Sequence, residues 1–275
     1  MPLHHFALIL LICLAWGGNF LASAYALQHF PPFLFTALRL AVVLLCLVPF
    51  LRPVAPGMRL RLAVVALLSG ALHFSINFWA LARAGDISST AIALQSYIPM
   101  SALLAVAFLG ERIGWRTAGG IAIAFGGVLV LGFDPLVLDA PAALLMTLAA
   151  ALCLAVSTVL MPGLRGVSLF ELQAWTAALG LPFLVVVGLV LEPPAWPLIR
   201  DATWLDWGGV LYSGLVASLV GHGLMYWLVQ RHPVSQVTPY LLLAPVFAIA
   251  LGVFVWGDRP GPKLVIGAAM VLAGV

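Results

Sequence analysis

Apolar runs of about twenty residues, separated by short clusters of proline, glycine and charge, recur from Phe6 to the end of this 275-residue chain. A run of that length suits an α-helix crossing a hydrocarbon core of roughly 30 Å. Barrel strands would alternate polar and apolar residues, and these runs do not. Hydrophobic residues are 64% of the chain and charged residues 8%, where a soluble domain has roughly 45–50% and about 25%. The chain therefore reads as an all-α membrane protein with the lipid bilayer as its surroundings. Its twelve Lys and Arg sit mostly at the ends of runs, so the formal charge of +3 is a topology signal and not a nucleic-acid surface.

The runs predict ten transmembrane helices, at roughly 6–27, 33–51, 61–82, 88–109, 115–133, 141–161, 169–191, 205–229, 234–256 and from 263 onward. The first resembles a signal peptide in its apolar stretch and its Ala22-Ser23-Ala24 triplet, but it lacks a basic leader and continues to Leu27, so it is kept as a span. The last has only thirteen residues, about 20 Å of helix, which is too short to cross. The natural chain is therefore expected to continue past Val275. Cys13, Cys46 and Cys153 lie inside apolar runs without the paired spacing of a metal or redox motif, so no cofactor or metal is expected.

Leu109–Val128 (LGERIGWRTAGGIAIAFGGV) recurs as Trp256–Val275 (WGDRPGPKLVIGAAMVLAGV), 147 residues on. Gly110, Arg112, Gly114, Gly120 and Gly127 match Gly257, Arg259, Gly261, Gly267 and Gly274, and Glu111 matches Asp258. Such self-similarity divides the chain into two five-helix units, 1–133 and 141–275. The segment is expected to hold the fourth helix to the fifth and the ninth to the tenth. With the N-terminus inside, cytoplasmic loops carry Arg52, Arg59, Arg61, Arg112, Arg116, Arg165 and Arg231, against Arg83, Arg200, Arg259 and Lys263 outside. Five is odd, so the second unit enters the membrane inverted, an architecture that forms its substrate site near the midplane. Trp196, Trp204 and Trp207, in and beside the longest loop, suit an interfacial belt.

The third and eighth spans carry matching polar stripes at four-residue spacing, Ser69, His73, Asn77 and Ser218, His222, Tyr226, offset by 149. Polar side chains in a span must face protein or water. The two serines suit packing; the other four either line a shared cavity or serve as helix-packing hydrogen bonds. The fourth and ninth spans pair Gln95, Ser96, Tyr97 and Pro99 with Gln236, Thr238, Tyr240 and Pro245, and a proline inside a span interrupts it. In the first span Trp16 and Asn19 flank Gly17 and Gly18, suited to stacking on a ligand and hydrogen-bonding it, or to core packing. Arg39 lies about 10 Å into the second span; pairing with Asp86 or Asp134 is the first expectation and recognition of a substrate carboxylate the second. Mid-span carboxylates are lacking, which leaves His73 and His222 as the intramembrane groups that titrate near neutrality. No HExxH, GxSxG or P-loop occurs, which argues against an enzyme or an ATP motor.

The segments LAWGGNF (14–20), FTALRL (35–40), LGERIGWRTAGGIAIAFGGV (109–128) and 241–275 resemble the EamA-type branch of the drug/metabolite transporter superfamily. Within it the chain is similar to the YddG-like exporters of aromatic amino acids. The resemblance implies a carrier of small metabolites in the bacterial inner membrane. It departs from the small multidrug members in having no carboxylate in the first span, and the sixth span carries VST where the first has GGN. The reading is a monomeric alternating-access exporter of small, aromatic or apolar amino acids. Its substrate would meet Trp16, Asn19, His73, Asn77, Gln95, Tyr97, His222, Tyr226, Gln236 and Tyr240. A broader drug or metabolite exporter, a passive channel and a lipid-handling membrane enzyme are the other classes.

Overall fold

The computed structural model describes residues 3–109, 114–131, 133–164, 166–229, 240, 241 and 243–274. Among them there is helix and no strand. Seven helices are long and apolar enough to cross a membrane: α1 His4–Ala26, α2 Pro32–Phe50, α3 Pro56–Ala84, α4 Ser88–Phe108, and the three that follow the shorter α5 (Ala118–Leu131), namely α6 Pro141–Leu164, α7 Leu169–Leu191 and α8 Trp204–Met225. Two further apolar helices among the described residues, α9 Leu243–Trp256 and α10 Pro262–Ala273, are shorter, like α5. Each falls on a predicted run, with α3 beginning several residues early. A hydropathy window stops at Arg59 and Arg61, but helix propagates through basic residues that reach the aqueous edge.

The turns explain the helix limits. Proline opens α2, α6 and α10, where its fixed φ suits the first helical turn and its missing N–H is not needed. Reciprocal capping boxes start α7 (Ser168 with Glu171) and α8 (Thr203 with Asp206). Gly85, at φ 75°, ends α3 in the left-handed conformation that a side chain would disfavour. Pro99 has no N–H to offer, and α4 is broken at Gln95–Ser96 into Ser88–Leu94 and Tyr97–Leu109. In the corresponding stretch before Pro245, residues 230–239, with Gln236 and Thr238, lie outside the described residues, as do Glu111, Arg112, Arg165 and Arg231.

Packing follows a repeating scheme. α1 lies against α8 and α9, and α6 lies against α3 and α4; α2 packs on α7, and α5 on α10. The α5–α10 crossing is made by the glycines of the duplicated segment. A Cβ at Gly120 would sit 2.5 Å from the Gly274 carbonyl oxygen, and one at Gly127 would sit 2.7 Å from that of Gly267. The register runs antiparallel, so each helix offers the same small-residue face to the other. This corrects the expectation that the segment joins consecutive helices. Side chains that are small enough for backbone contact select a partner of the same kind, and the nearest such face is the second copy.

The end of the bundle that carries the 84–88 turn is tied by carboxylates. Asp258 Oδ2 accepts from the backbone N–H of Ile87 (3.1 Å) and Ser88 (3.0 Å) and from Ser88 Oγ (2.6 Å). Asp134 accepts from Leu264 N–H at 2.8 Å, and Asp86 from Ser89 N–H at 2.6 Å. Glu192, just past α7, accepts from Phe33 and Leu34 N–H at 2.7 and 2.8 Å, capping α2 from another element. Burial pushes the Glu192 carboxyl above its ordinary value, against the downward pull of those two donors. In a window beginning at about pH 4.5, the folded protein therefore keeps a proton that the unfolded chain has released, and stability falls as pH rises through it. Thermal unfolding of Glu192→Gln in detergent should show a flatter pH dependence there. An unchanged slope would remove Glu192 as its source.

Candidate functional site

Polar and aromatic side chains converge where α1, α2, α3 and α8 meet. Two of the helices depart from α-geometry at this level: α3 is a π-helix over Leu67–Leu72, immediately before His73, and α8 is one over Tyr212–His222. A π turn bonds i to i+5 and is wider than an α turn. The four-residue spacing of Ser69 with His73 and of Ser218 with His222 therefore does not stack as it would on a regular helix. The side chains follow the wider turn instead. Ser218 Oγ donates to Ser213 O at 2.7 Å and His222 Nδ1 lies 2.9 Å from Ala217 O, both five residues back.

Arg39 is at the centre, 2% exposed. Its Nε donates to Ser213 O (3.2 Å) and Ser218 Oγ (3.0 Å), and its guanidinium carbon lies 3.4 Å from the ring centroid of Phe74 and 5.9 Å from that of Phe78. Neither Asp86 nor Asp134 pairs with it, and the one ion pair among the described residues is the exposed Arg200–Asp201. The expected structural ion pair is thus replaced by a carbonyl, a hydroxyl and two ring faces. Asp86 and Asp134 accept instead from backbone N–H donors at the bundle end, of Ser89 and Leu264.

The other predicted residues do not all gather at Arg39. Trp16 joins the centre: its ring is 5.0 Å from that of His222, and its Nε1 donates to Ala217 O at 3.2 Å. Phe74 links the two histidines, 4.7 Å from His73 and 6.0 Å from His222. His73 is buried and its Nδ1 lies 2.9 Å from Ala150 O on α6. Asn19 and Asn77 each bury an Oδ1 that has no hydrogen-bond partner. Gln95, at the break in α4, donates back to Ala91 O at 3.2 Å within the first segment, and Tyr97 just past the break is half-buried. Tyr240 lies apart, 44% exposed and edge-on to Phe6 at 5.3 Å. Gln236 and the side chain of Tyr226 are outside the described residues. Ser69 bonds back to Val65 O, in keeping with packing.

Three contributors lie outside the sequence reading. Ser213 supplies the carbonyl for Arg39. Gln173 on α7 donates to Ser218 O at 3.3 Å and leaves its buried Oε1 unpaired. Phe74 supplies the ring above Arg39. Gln173 was visible as a polar residue inside an apolar run; Ser213 and Phe74 carried no signal distinct from packing.

A family model described as the EamA-like transporter family matches residues 5–133 and again 141–275. The chain belongs to that family. This EamA-like transporter is 28% identical over 278 residues to a "Probable amino-acid metabolite efflux pump" of Escherichia coli (strain K12), covering 98% of this chain and 92% of that protein. It is 30% identical over 191 residues to a "Probable terminal-alkyne amino-acid exporter" of Streptantibioticus cattleyicolor, over 68% of this chain and 63% of that one. A solved crystal structure shares the fold, with a TM-score of 0.68 at 21% identity, covering 100% of this chain and 96% of that chain. The chain is a multi-pass membrane transporter.

Proposed function

We propose that this EamA-like transporter exports small amino acids with aromatic or apolar side chains across the bacterial inner membrane, N-terminus inside. Two inverted five-helix units, 1–133 and 141–275, would alternate access to a site between them. The observation that carries the reading is the convergence of side chains from both units. Arg39, Trp16 and Phe74 meet Ser213, Ser218 and His222, and His73 reaches Ala150. The antiparallel α5–α10 crossing and the matched packing of α1 on α8 and α9 and of α6 on α3 and α4 support the inverted arrangement. The relatives' names support an amino acid as cargo. Trp16 and Phe74 offer apolar walls, and His73, Asn19, Asn77, Gln95 and His222 offer polar contacts.

The test is counterflow in liposomes with labelled phenylalanine and leucine. Saturable uptake with counterflow identifies a carrier, whereas conductance without saturation identifies a channel. Dependence on a pH gradient would bring the histidines into coupling. Alanine at His73, Asn77 or His222 should lower transport several-fold while membrane expression is retained. Full transport by all three variants would sink the shared-site reading.

A further inference from the structure

We infer that Arg39 is the anchor for the substrate's carboxylate, which makes this a site for α-amino acids and their carboxylate analogues and not for amines. The inference rests on the transport reading above and narrows its substrate class.

Four observations converge. First, the guanidinium is fully enclosed, yet its Nη1 has no hydrogen-bond partner. A guanidinium carries five N–H donors, and only Nε is engaged here by a carbonyl and a hydroxyl. Second, no carboxylate pairs with it among the described residues. A buried charge without a counter-ion is a large cost that a protein rarely bears for packing alone. Third, the contacts that exist fix the group without neutralising it. Phe74 covers one face at 3.4 Å and Ser213 and Ser218 hold Nε, which leaves the outer edge of the fork as the free one. That edge is the one that takes a carboxylate in bidentate geometry.

Fourth, of the seven buried side-chain polar atoms without partners among the described residues, four on the helices that meet at Arg39 lie at a common depth; the other three are Ser23 Oγ, Ser96 Oγ and Gln173 Oε1. Asn19 in α1, Arg39 in α2, Asn77 in α3 and Ser213 in α8 each sit seven to nine residues from the helix end nearest the 84–88 turn. At about 1.5 Å per residue this places them roughly 10–14 Å inside, close to the midplane of a 30 Å core. Asn19 Oδ1, Asn77 Oδ1 and Ser213 Oγ are unsatisfied there together with Arg39 Nη1. Buried polar atoms are ordinarily paired, and these four, on four helices at one level, offer a donor and acceptors that a polar ligand can meet. Several packing hydroxyls elsewhere in the bundle bond back to their own helix, as those of Ser69, Ser75 and Thr147 do, whereas those of Ser23 and Ser96 have no partner.

The experiment compares three probes of one shape: phenylalanine, 3-phenylpropionate, which keeps the carboxylate and lacks the amine, and phenethylamine, which keeps the amine and lacks the carboxylate. Binding to the purified full chain is read by calorimetry, and competition by counterflow of labelled phenylalanine. In the wild type, phenylalanine and 3-phenylpropionate should bind and compete, and phenethylamine should be weaker by roughly tenfold to a hundredfold, the range of a hydrogen bond to a charged group. Arg39→Gln should abolish that preference, and Arg39→Lys should retain part of it. A thermal-unfolding profile of each variant verifies that it is folded. If Arg39→Gln proves unstable, the wild-type comparison of 3-phenylpropionate with phenethylamine still decides. The anchor is overturned if phenethylamine matches phenylalanine in the wild type, or if folded Arg39→Gln keeps the preference. Arg39-dependent binding of 3-phenylpropionate without any amino acid counterflow would sink the transport reading and leave the anchor standing.

Discussion

Leucine at Gly127 is expected to remove most folded protein from the membrane, and leucine at Gly267 should do the same. A Cβ at Gly127 would lie 2.7 Å from Gly267 O, 2.8 Å from Val271 N and 2.8 Å from Met270 Cβ; at Gly267 it would meet Gly127 O at 2.7 Å and Leu131 N at 2.9 Å. Most of these neighbours are main-chain atoms, which cannot rotate out of the way as a side chain can. Overpacking a core that can adjust costs about 1–3 kcal/mol. Here the helix axes themselves must part, and the burial of Val128, Leu131, Leu264 and Val271 is lost with them. Without a hydrophobic force between helices in lipid, close packing is the main source of association. The effect should therefore reach or exceed the top of that range. Gly119 is the internal control, because a Cβ there meets nothing within 4 Å. Yield of monodisperse protein and unfolding temperature check the prediction: Gly127→Leu at wild-type levels, or Gly119→Leu equally damaged, would mean that the crossing does not hold the bundle.

Those glycines also show what could be read from the chain and what could not. Their duplication is visible as text, and it located two equivalent helices correctly. Whether each copy packs on its neighbour in sequence or on the other copy is a three-dimensional choice, made by the fit of one small-residue face to another. Arg39 shows the same limit. Opposite charges at one end of the bundle made Asp86 and Asp134 reasonable partners, but backbone N–H groups at helix starts satisfy a carboxylate as well. Asp86 is committed to Ser89 and Asp134 to Leu264. Cation and carboxylates were thus each placed at plausible depth and wrongly joined. The polar stripes of α3 and α8 were found because they repeat, yet the π turns that re-aim them leave no trace in residue spacing. Pro99 was legible because its chemistry is local: a missing N–H interrupts a helix wherever the rest of the fold lies. Tyr240, chosen by its likeness to Tyr97, sits at the surface, since a shared residue type does not carry a shared orientation.

Asparagine at Asp258 should open the bundle end that carries the 84–88 turn, and alanine should open it further. One oxygen of Asp258 holds the start of α4 through two backbone N–H groups and the Ser88 hydroxyl, at 2.6–3.1 Å. The residue lies in the α9–α10 turn after Gly257, whose φ of 88° favours glycine, and it is 8% exposed. Hydrogen bonds to a charged group contribute about 1.5–3 kcal/mol. Asparagine keeps the shape and one acceptor oxygen but loses the charge; alanine leaves three donors unanswered. On the alternating-access reading the clasp ties the second unit to the first and favours the state closed at this end. Each 1.4 kcal/mol taken from it shifts the population about tenfold toward opening. A cavity of about 140 Å³ borders the same turn, lined by Ala24, Leu81, Ala82, Ile87 and Trp256 among others. A cysteine placed at Ala24, a buried residue of its lining, with Cys13, Cys46 and Cys153 replaced, reports on it. Its labelling by a membrane-impermeant thiol reagent should speed up by about tenfold or more in Asp258→Asn, and further in Asp258→Ala, while transport slows because closure at this end becomes the difficult step. If labelling and transport are both unchanged in folded Asp258→Ala, the carboxylate fastens the turn without governing access.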